Sequence, residues 1–142
     1  MSKHIFNLRL SAAYESSDNK LASLDVQVLG DDGWVPLDLN TMTPGFLIYV
    51  YSMFTCQHLY LRTNAAERDL TLATARGEIL VEASEDWFLE KVDVKFKLEL
   101  AAGEADAAAI DYIISRMKQC PVSKNLPPDI DILTRVDIDH DR

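Results

Sequence analysis

The chain has 142 residues, the common size of one domain, with 48% hydrophobic and 26% charged side chains, an ordinary globular balance that excludes a disordered chain. Its 23 acidic and 14 basic residues give a net charge of −9, a field that repels phosphate backbones and anionic membranes and argues against nucleic-acid binding. A chain of this length buries a core without staples, so its two cysteines are not needed as a structural framework.

The N-terminal "MSKHIFNLRLSAAYES" alternates apolar and polar residues and lacks the continuous apolar stretch of a signal peptide. Residues 4–15 read as a strand with Phe6, Leu8, Leu10 and Ala12 on one face. "SSDNK" (16–20) is a turn, and "LASLDVQVL" (21–29) a second strand. "GDDG" (30–33) is a hairpin signal. "WVPLDL" (34–39) forms a short third strand whose Pro36 suits an edge.

Thr43 and Pro44 predict a helix start, the hydroxyl as N-cap and the proline at the first helical position. This helix is expected to run to about Asn64. Its apolar core "FLIYVYSMFTCQHLYL" (46–61) is shorter than the roughly 20 residues of a membrane span and contains Ser52, Thr55, Gln57 and His58. A helix apolar around most of its circumference belongs at the centre of a fold. Two strands follow, at about 69–83 and 86–100. In the second, Val92, Val94, Phe96, Leu98 and Leu100 alternate with Lys91, Asp93, Lys95, Lys97 and Glu99, one buried and one wet face, which points to an antiparallel sheet.

Residues 104–119 predict a second helix with Ile110, Ile113, Ile114 and Met117 as its buried stripe, acids at its start and bases at its end. "LPPD" (126–129) breaks the chain before a last strand at 130–138. The whole is a single α+β domain over 1–142, a curved antiparallel sheet around two helices. The absence of a leader or span predicts a cytoplasmic protein, where thiols stay reduced.

Two features could carry chemistry. Cys56 lies inside the apolar helix and Cys120 at the end of the second, in "RMKQCPVSKNL". They are either unrelated core thiols or a redox pair. A helical turn restarting at Pro121 would put Cys120 at its N-cap and favour thiolate. If Cys120 only closes the preceding helix, the dipole opposes ionisation. The tail acids Asp137, Asp139 and Asp141 with His140 could suggest a metal site, but alternating acids on a terminal strand read better as a solvated face. His4 and His58 have no spaced partner, and neither a glycine-rich phosphate loop nor a G-x-S-x-G elbow occurs. No cofactor or metal is expected.

"TMTPGFLIYVYSMFTCQHL", followed after two strands and a helix by "QCPVSKNL", resembles the OsmC/Ohr superfamily of osmotically inducible and organic-hydroperoxide-resistance proteins. The resemblance covers most of the chain and implies an intertwined homodimer with thiol peroxidase sites at the subunit interface. Carried over by position, Cys56 would be the peroxidatic thiolate and Cys120 its resolving partner. The implied partners are a hydrophobic hydroperoxide and an external dithiol reductant. Two positions depart from the family pattern. Gly45 stands where active members place a glutamate, and Arg9 is the only arginine before Cys56, so the family's Arg–Glu pair cannot form. His58, Arg62, Glu67 and Arg68 are the available substitutes. The alternative is a non-enzymatic dimer of the same fold that binds a small hydrophobic ligand or senses redox state.

Overall fold

A strict period of two sets the strands, and the computed structural model, which describes residues 2–139, places them in the predicted order. The elements are β1 (His4–Glu15), β2 (Lys20–Gly30), β3 (Gly33–Pro36), α1 (Gly45–Glu67), β4 (Thr71–Ala83), β5 (Leu89–Ala102), α2 (Ala107–Met117), a 3-10 turn (Ser123–Asn125) and β6 (Asp131–Ile138). One open, curved sheet results, with strand order β3-β2-β1-β4-β5-β6. The Pro36 strand is an edge, where a missing N–H costs no ladder bond. The Asp31-Asp32 hairpin pairs Gly30 with Gly33 as expected.

The sheet departs from a purely antiparallel one at a single pair. β6 runs parallel to β5, with Val94 opposite Thr134 and Phe96 opposite Val136. The reason is topological: a strand returning through a helical crossover arrives in the same direction, and α2 is that crossover.

Both helices lie on the apolar face of the sheet. Leu8 and Leu10, Ile79 and Val81, and Val94, Phe96 and Leu98 meet Val50, Phe54 and Leu61 of α1 and Ile113 and Met117 of α2. Gly77 is opposite Phe96, and a Cβ there would lie 2.5 Å from the Phe96 ring. The glycine therefore lets that ring lie across β4, where it packs on Phe54 and stacks on His58, each with centroids 5.7 Å away. The other face of the sheet carries Arg9, Arg76, Lys95 and Lys97 toward solvent or partial cover.

The start of α1 differs from expectation. Pro44, not Thr43, is the N-cap, and no side chain caps the helix. The Thr43 hydroxyl accepts the Asn40 N–H at 2.9 Å, closing the preceding turn instead. Aromatic packing holds this helix end: Phe46 contacts Phe6 at 5.1 Å and Trp87 at 5.3 Å between centroids.

The far end of α1 runs to Glu67, about a turn beyond the expected Asn64. Ala65 and Ala66 continue the helix, and Asn64 satisfies its own amide by donating to Tyr60 O at 2.7 Å. The chain then leaves through a Schellman closure, Leu70 N–H to Ala65 O and Asp69 N–H to Ala66 O, both 3.0 Å. Asp69 takes the left-handed position, φ 62°, where glycine is usual. Buried Asn19 ties the β1–β2 turn to this junction: its amide donates to Arg62 O and Leu70 O, and its Oδ1 accepts Leu72 N–H.

α2 begins three residues later than the expected span suggests, at Ala107. Asp106 is its N-cap and accepts the Ala109 N–H at 2.8 Å. Among the described residues, no helix is long and apolar enough to cross a membrane.

Candidate functional site

The turns of α1 around Cys56 face three environments. Val50, Phe54, His58 and Leu61 face the sheet and are buried. Met53 and Gln57 face α2 and the turn after it and are also buried. Ile48, Tyr49, Thr55 and Leu59 form a stripe that one chain leaves open, with Ile48 40% and Leu59 43% exposed. Cys56 lies on the border between that stripe and the segment following α2, and it is part-exposed.

Cys120 is fully buried at the end of α2. Its backbone closes α2 and also accepts one bond from the segment that follows, while no helical turn restarts at Pro121. Its N–H donates to Met117 O at 3.2 Å, and its C=O accepts the Lys124 N–H at 3.0 Å. The Ser123 N–H then donates to Cys120 Sγ at 3.4 Å, and the thiol donates to Ser123 Oγ at 3.0 Å. The 3-10 turn itself starts at Ser123 with Val122 as its N-cap, so the sulfur holds the Ser123 N–H from outside that turn.

The two thiols lie near enough that Cys120 acts on the ionisation of Cys56, with the Val122 N–H favouring the charged form. Residues sixty-four positions apart in the sequence thus share one small site. Burial first, then the nearby Cys120, pushes the Cys56 thiol up to about 11, against the favourable Val122 N–H. Among the described residues no lysine or arginine counters that shift.

Gln57 is part of this site, although its sequence context gave it no role. It is 3% exposed, and its amide Nε2 donates to Ser123 Oγ at 2.6 Å and to Met117 O at 3.3 Å. A polar side chain next to a cysteine in an apolar helix is the available signal, since a buried amide must find partners. Ser123 was visible only as part of "CPVS".

The suggested substitutes for the Arg–Glu pair are elsewhere. Arg9 points from the opposite face of the sheet, where its Nε donates to Gln27 Oε1 at 2.6 Å and its guanidinium lies 4.2 Å over the Trp34 ring. His58 is on the sheet side of α1, and its Nε2 shares a 2.6 Å hydrogen bond with the Tyr14 hydroxyl. Burial, helped by the Arg62 charge, drops His58 to about 4, while burial raises Tyr14. Arg62 reaches Asn19 O at 3.4 Å. Glu67 Oε1 accepts the Tyr112 hydroxyl at 3.1 Å, and Arg68 lies 5.2 Å over the same ring. None of these touches the thiols. Gly45 has open space around it: a Cβ there meets nothing within 4 Å.

Asp137 and Asp139 stand at the end of β6 and just beyond it, whereas His140 and Asp141 lie outside the described residues. Among the described residues no group of three or more His, Cys, Asp or Glu side chains could hold a metal ion.

Solved structures share this architecture across nearly the whole chain. An OsmC-like protein from Mycoplasma pneumoniae is 15% identical, with 92% of this chain and 96% of that one covered and a TM-score of 0.57. The chain has the OsmC-like fold. A hypothetical protein from Aquifex aeolicus VF5 superposes with a TM-score of 0.60 at 9% identity, covering 94% of this chain and 96% of its own. A protein of osmotic stress and detoxification response from Psychrobacter arcticus 273-4 does so at 0.54 and 15% identity, covering 91% and 94%. No family model and no curated protein matches the sequence. At these identities the OsmC-like likeness is one of fold.

Proposed function

We propose that the chain is a cytoplasmic, homodimeric dithiol protein that reduces organic hydroperoxides, with Cys56 attacking and Cys120 resolving. The observation that supports this reading is the nearness of the two thiols, with Cys120 close enough to raise the Cys56 thiol. The Cys56 thiolate would take the terminal peroxide oxygen, releasing an alcohol and leaving sulfenic acid. The Cys120 thiol would then condense with it, forming the disulfide and expelling water. An external dithiol returns both thiols. The open stripe of Ile48, Tyr49 and Leu59 beside Cys56 offers an apolar surface, both for a second copy of the chain and for the substrate's hydrocarbon part.

A thiol held at about 11 is ionised in roughly one molecule in 10⁴ at neutral pH. That favours slow turnover, and it supports a second reading, a thiol sensor oxidised once per signal. One experiment separates them. Stoichiometric cumene hydroperoxide followed by non-reducing mass spectrometry should show the loss of two hydrogen atoms, mapped to Cys56–Cys120. Sulfinic acid on one cysteine alone would sink the pair for both readings. Sustained hydroperoxide consumption with excess dithiol identifies the peroxidase, and a single oxidation without turnover identifies the sensor.

A further inference from the structure

We infer that Gln57 and Ser123 make Cys120 the departing thiolate of the oxidised protein, so that an external dithiol attacks the sulfur of Cys56. This rests on the two thiols forming a disulfide, as proposed above, but not on a hydroperoxide being the oxidant.

The orientation of the Gln57 amide follows from its acceptors. The Met117 carbonyl can only accept, so the Gln57 amide must turn Nε2 toward it, at 3.3 Å. The same Nε2 lies 2.6 Å from Ser123 Oγ, so that oxygen accepts from Gln57. In the reduced protein the Cys120 thiol donates to the same oxygen at 3.0 Å, and loss of the thiol proton frees the Ser123 hydroxyl to turn its hydrogen, which Gln57 does not use, toward the sulfur. A Cys120 thiolate would receive both this O–H and the Ser123 N–H, now at 3.4 Å. The arrangement has a cost, because Gln57 Oε1 is buried without a partner, and it is tolerated where Nε2 is aimed at Ser123. The turn is braced as well: Asn125 Nδ2 donates to Pro121 O at 2.8 Å, and Asn125 N–H to Val122 O at 3.1 Å.

Cys56 is the mirror of this. No side chain donates to its sulfur among the described hydrogen bonds, the Val122 N–H alone favours its charge, and it is part-exposed while Cys120 is 0% exposed. Thiol exchange is fastest where the attacked sulfur is accessible and the leaving sulfur best holds charge. Both conditions select attack at Cys56. The reductant thiolate bonds to Cys56 Sγ, the disulfide breaks, and its electron pair passes to Cys120 Sγ under the Ser123 donors. The reductant's second thiolate then attacks the reductant sulfur of the mixed disulfide and closes a cyclic disulfide. Cys56 leaves as thiolate, and it and Cys120 each take one of the protons released by the dithiol. Two electrons and two protons have passed from the dithiol to the protein. Gln57 acts only through Ser123 and is a positioning residue.

The test uses the full chain oxidised with diamide, which separates this inference from peroxide chemistry. Brief exposure to 2-mercaptoethanol, acid quenching and alkylation should place the adduct on Cys56 with Cys120 free. Ser123→Ala should slow disulfide cleavage about ten-fold, the loss of one hydrogen bond to a charged group, and should also blur the adduct's position. Ser123→Thr should restore both, and Gln57→Leu should fall between. Adduct on Cys120, equal adducts on both, or wild-type cleavage in Ser123→Ala would overturn the inference, as would failure of diamide to form the bridge. If diamide gives the bridge and the selective adduct but cumene hydroperoxide does not oxidise the pair, the peroxidase reading fails and this inference stands.

Discussion

The sheet-facing and outward-facing sides of α1 are built from similar residues yet are finished differently. On the sheet side the large side chains find partners within one chain: Phe54 packs on Phe96, and His58 shares its Nε2 hydrogen bond with Tyr14. On the outward side Ile48, Tyr49 and Leu59 remain open, and Cys56 lies at their border. An apolar surface that a chain does not cover itself is surface to be covered by something else. Composition alone does not distinguish the sides; long-range pairing does. The sealed side supports the fold, while the open side is where binding and chemistry are available.

Breaking the sealed side should have the largest effect. Phe54 is 0% exposed, so Phe54→Ala removes a ring from both Phe96 and the α1–sheet contact. Urea unfolding should show a loss of about 3–5 kcal/mol. A loss below about 1 kcal/mol would mean that this side is not the main source of stability.

The opposite change tests what covers the open side. Leu59→Glu alters a 43% exposed position, where a charge costs a single chain within about 0.5 kcal/mol. Buried against a second copy, two such charges would face desolvation without partners. Light scattering should therefore give a dimer for the wild type and a chain near 16.0 kDa for Leu59→Glu, with the unfolding midpoint of dilute protein little changed. A wild-type monomer at micromolar concentration would leave the stripe to a ligand instead.

Much of this contrast was legible in the sequence and part of it was not. Alternation in β1 and β5, the Asp31-Asp32 hairpin and the stripe of α2 are local patterns, and each was visible. The direction of β6 is not a local pattern, because residues 130–138 read the same in either orientation and only the crossover decides it. The pairing of the two cysteines came from a resemblance to a family, since sixty-four residues of spacing carry no contact information. Gln57 read as a polar interruption because its partner Ser123 comes from a distant segment. Asp69 hid the helix end, since glycine is the residue that usually signals it. Thr43 looked like a cap because residue type cannot show that its hydroxyl is already taken by Asn40.

The two sides should also titrate in opposite directions. His58 falls from its ordinary 6.5 to about 4, so between those values the unfolded chain holds a proton that the folded chain lacks. Stability should fall as pH drops through that window and level off below about 4, and His58→Gln should flatten the slope. Cys56 rises from 9.0 to about 11, so stability from this group is lost as pH climbs from 9 toward 11. Iodoacetamide labelling of Cys56 should quicken roughly ten-fold per pH unit until about pH 11. Labelling that is already maximal at pH 7 would show a thiolate stabilised by a group outside the single chain.

The smallest effect is expected at Gly45, and it sharpens the comparison where the open side begins. Gly45 is the first residue of α1, and a side chain there meets nothing within 4 Å. Glutamate is a better helix former than glycine and complements the positive end of the helix dipole. Gly45→Glu should therefore raise stability by about 0.5–1 kcal/mol. It should not quicken the reaction of Cys56 with an organic hydroperoxide. A carboxylate activates a thiol only by holding a cation against it, and among the described residues no cation acts on Cys56. Arg9, the one arginine ahead of Cys56 in the sequence, is occupied with Gln27 and Trp34 across the sheet. Thermal melting and stopped-flow oxidation of the same variant read the two effects separately. A higher melting point with an unchanged rate agrees with a thiol that lacks a charged neighbour. A rate gain of ten-fold or more, abolished by Cys56→Ser, would mean that an arginine enters the open side from a second copy, and Arg62→Gln and Arg68→Gln would then identify it.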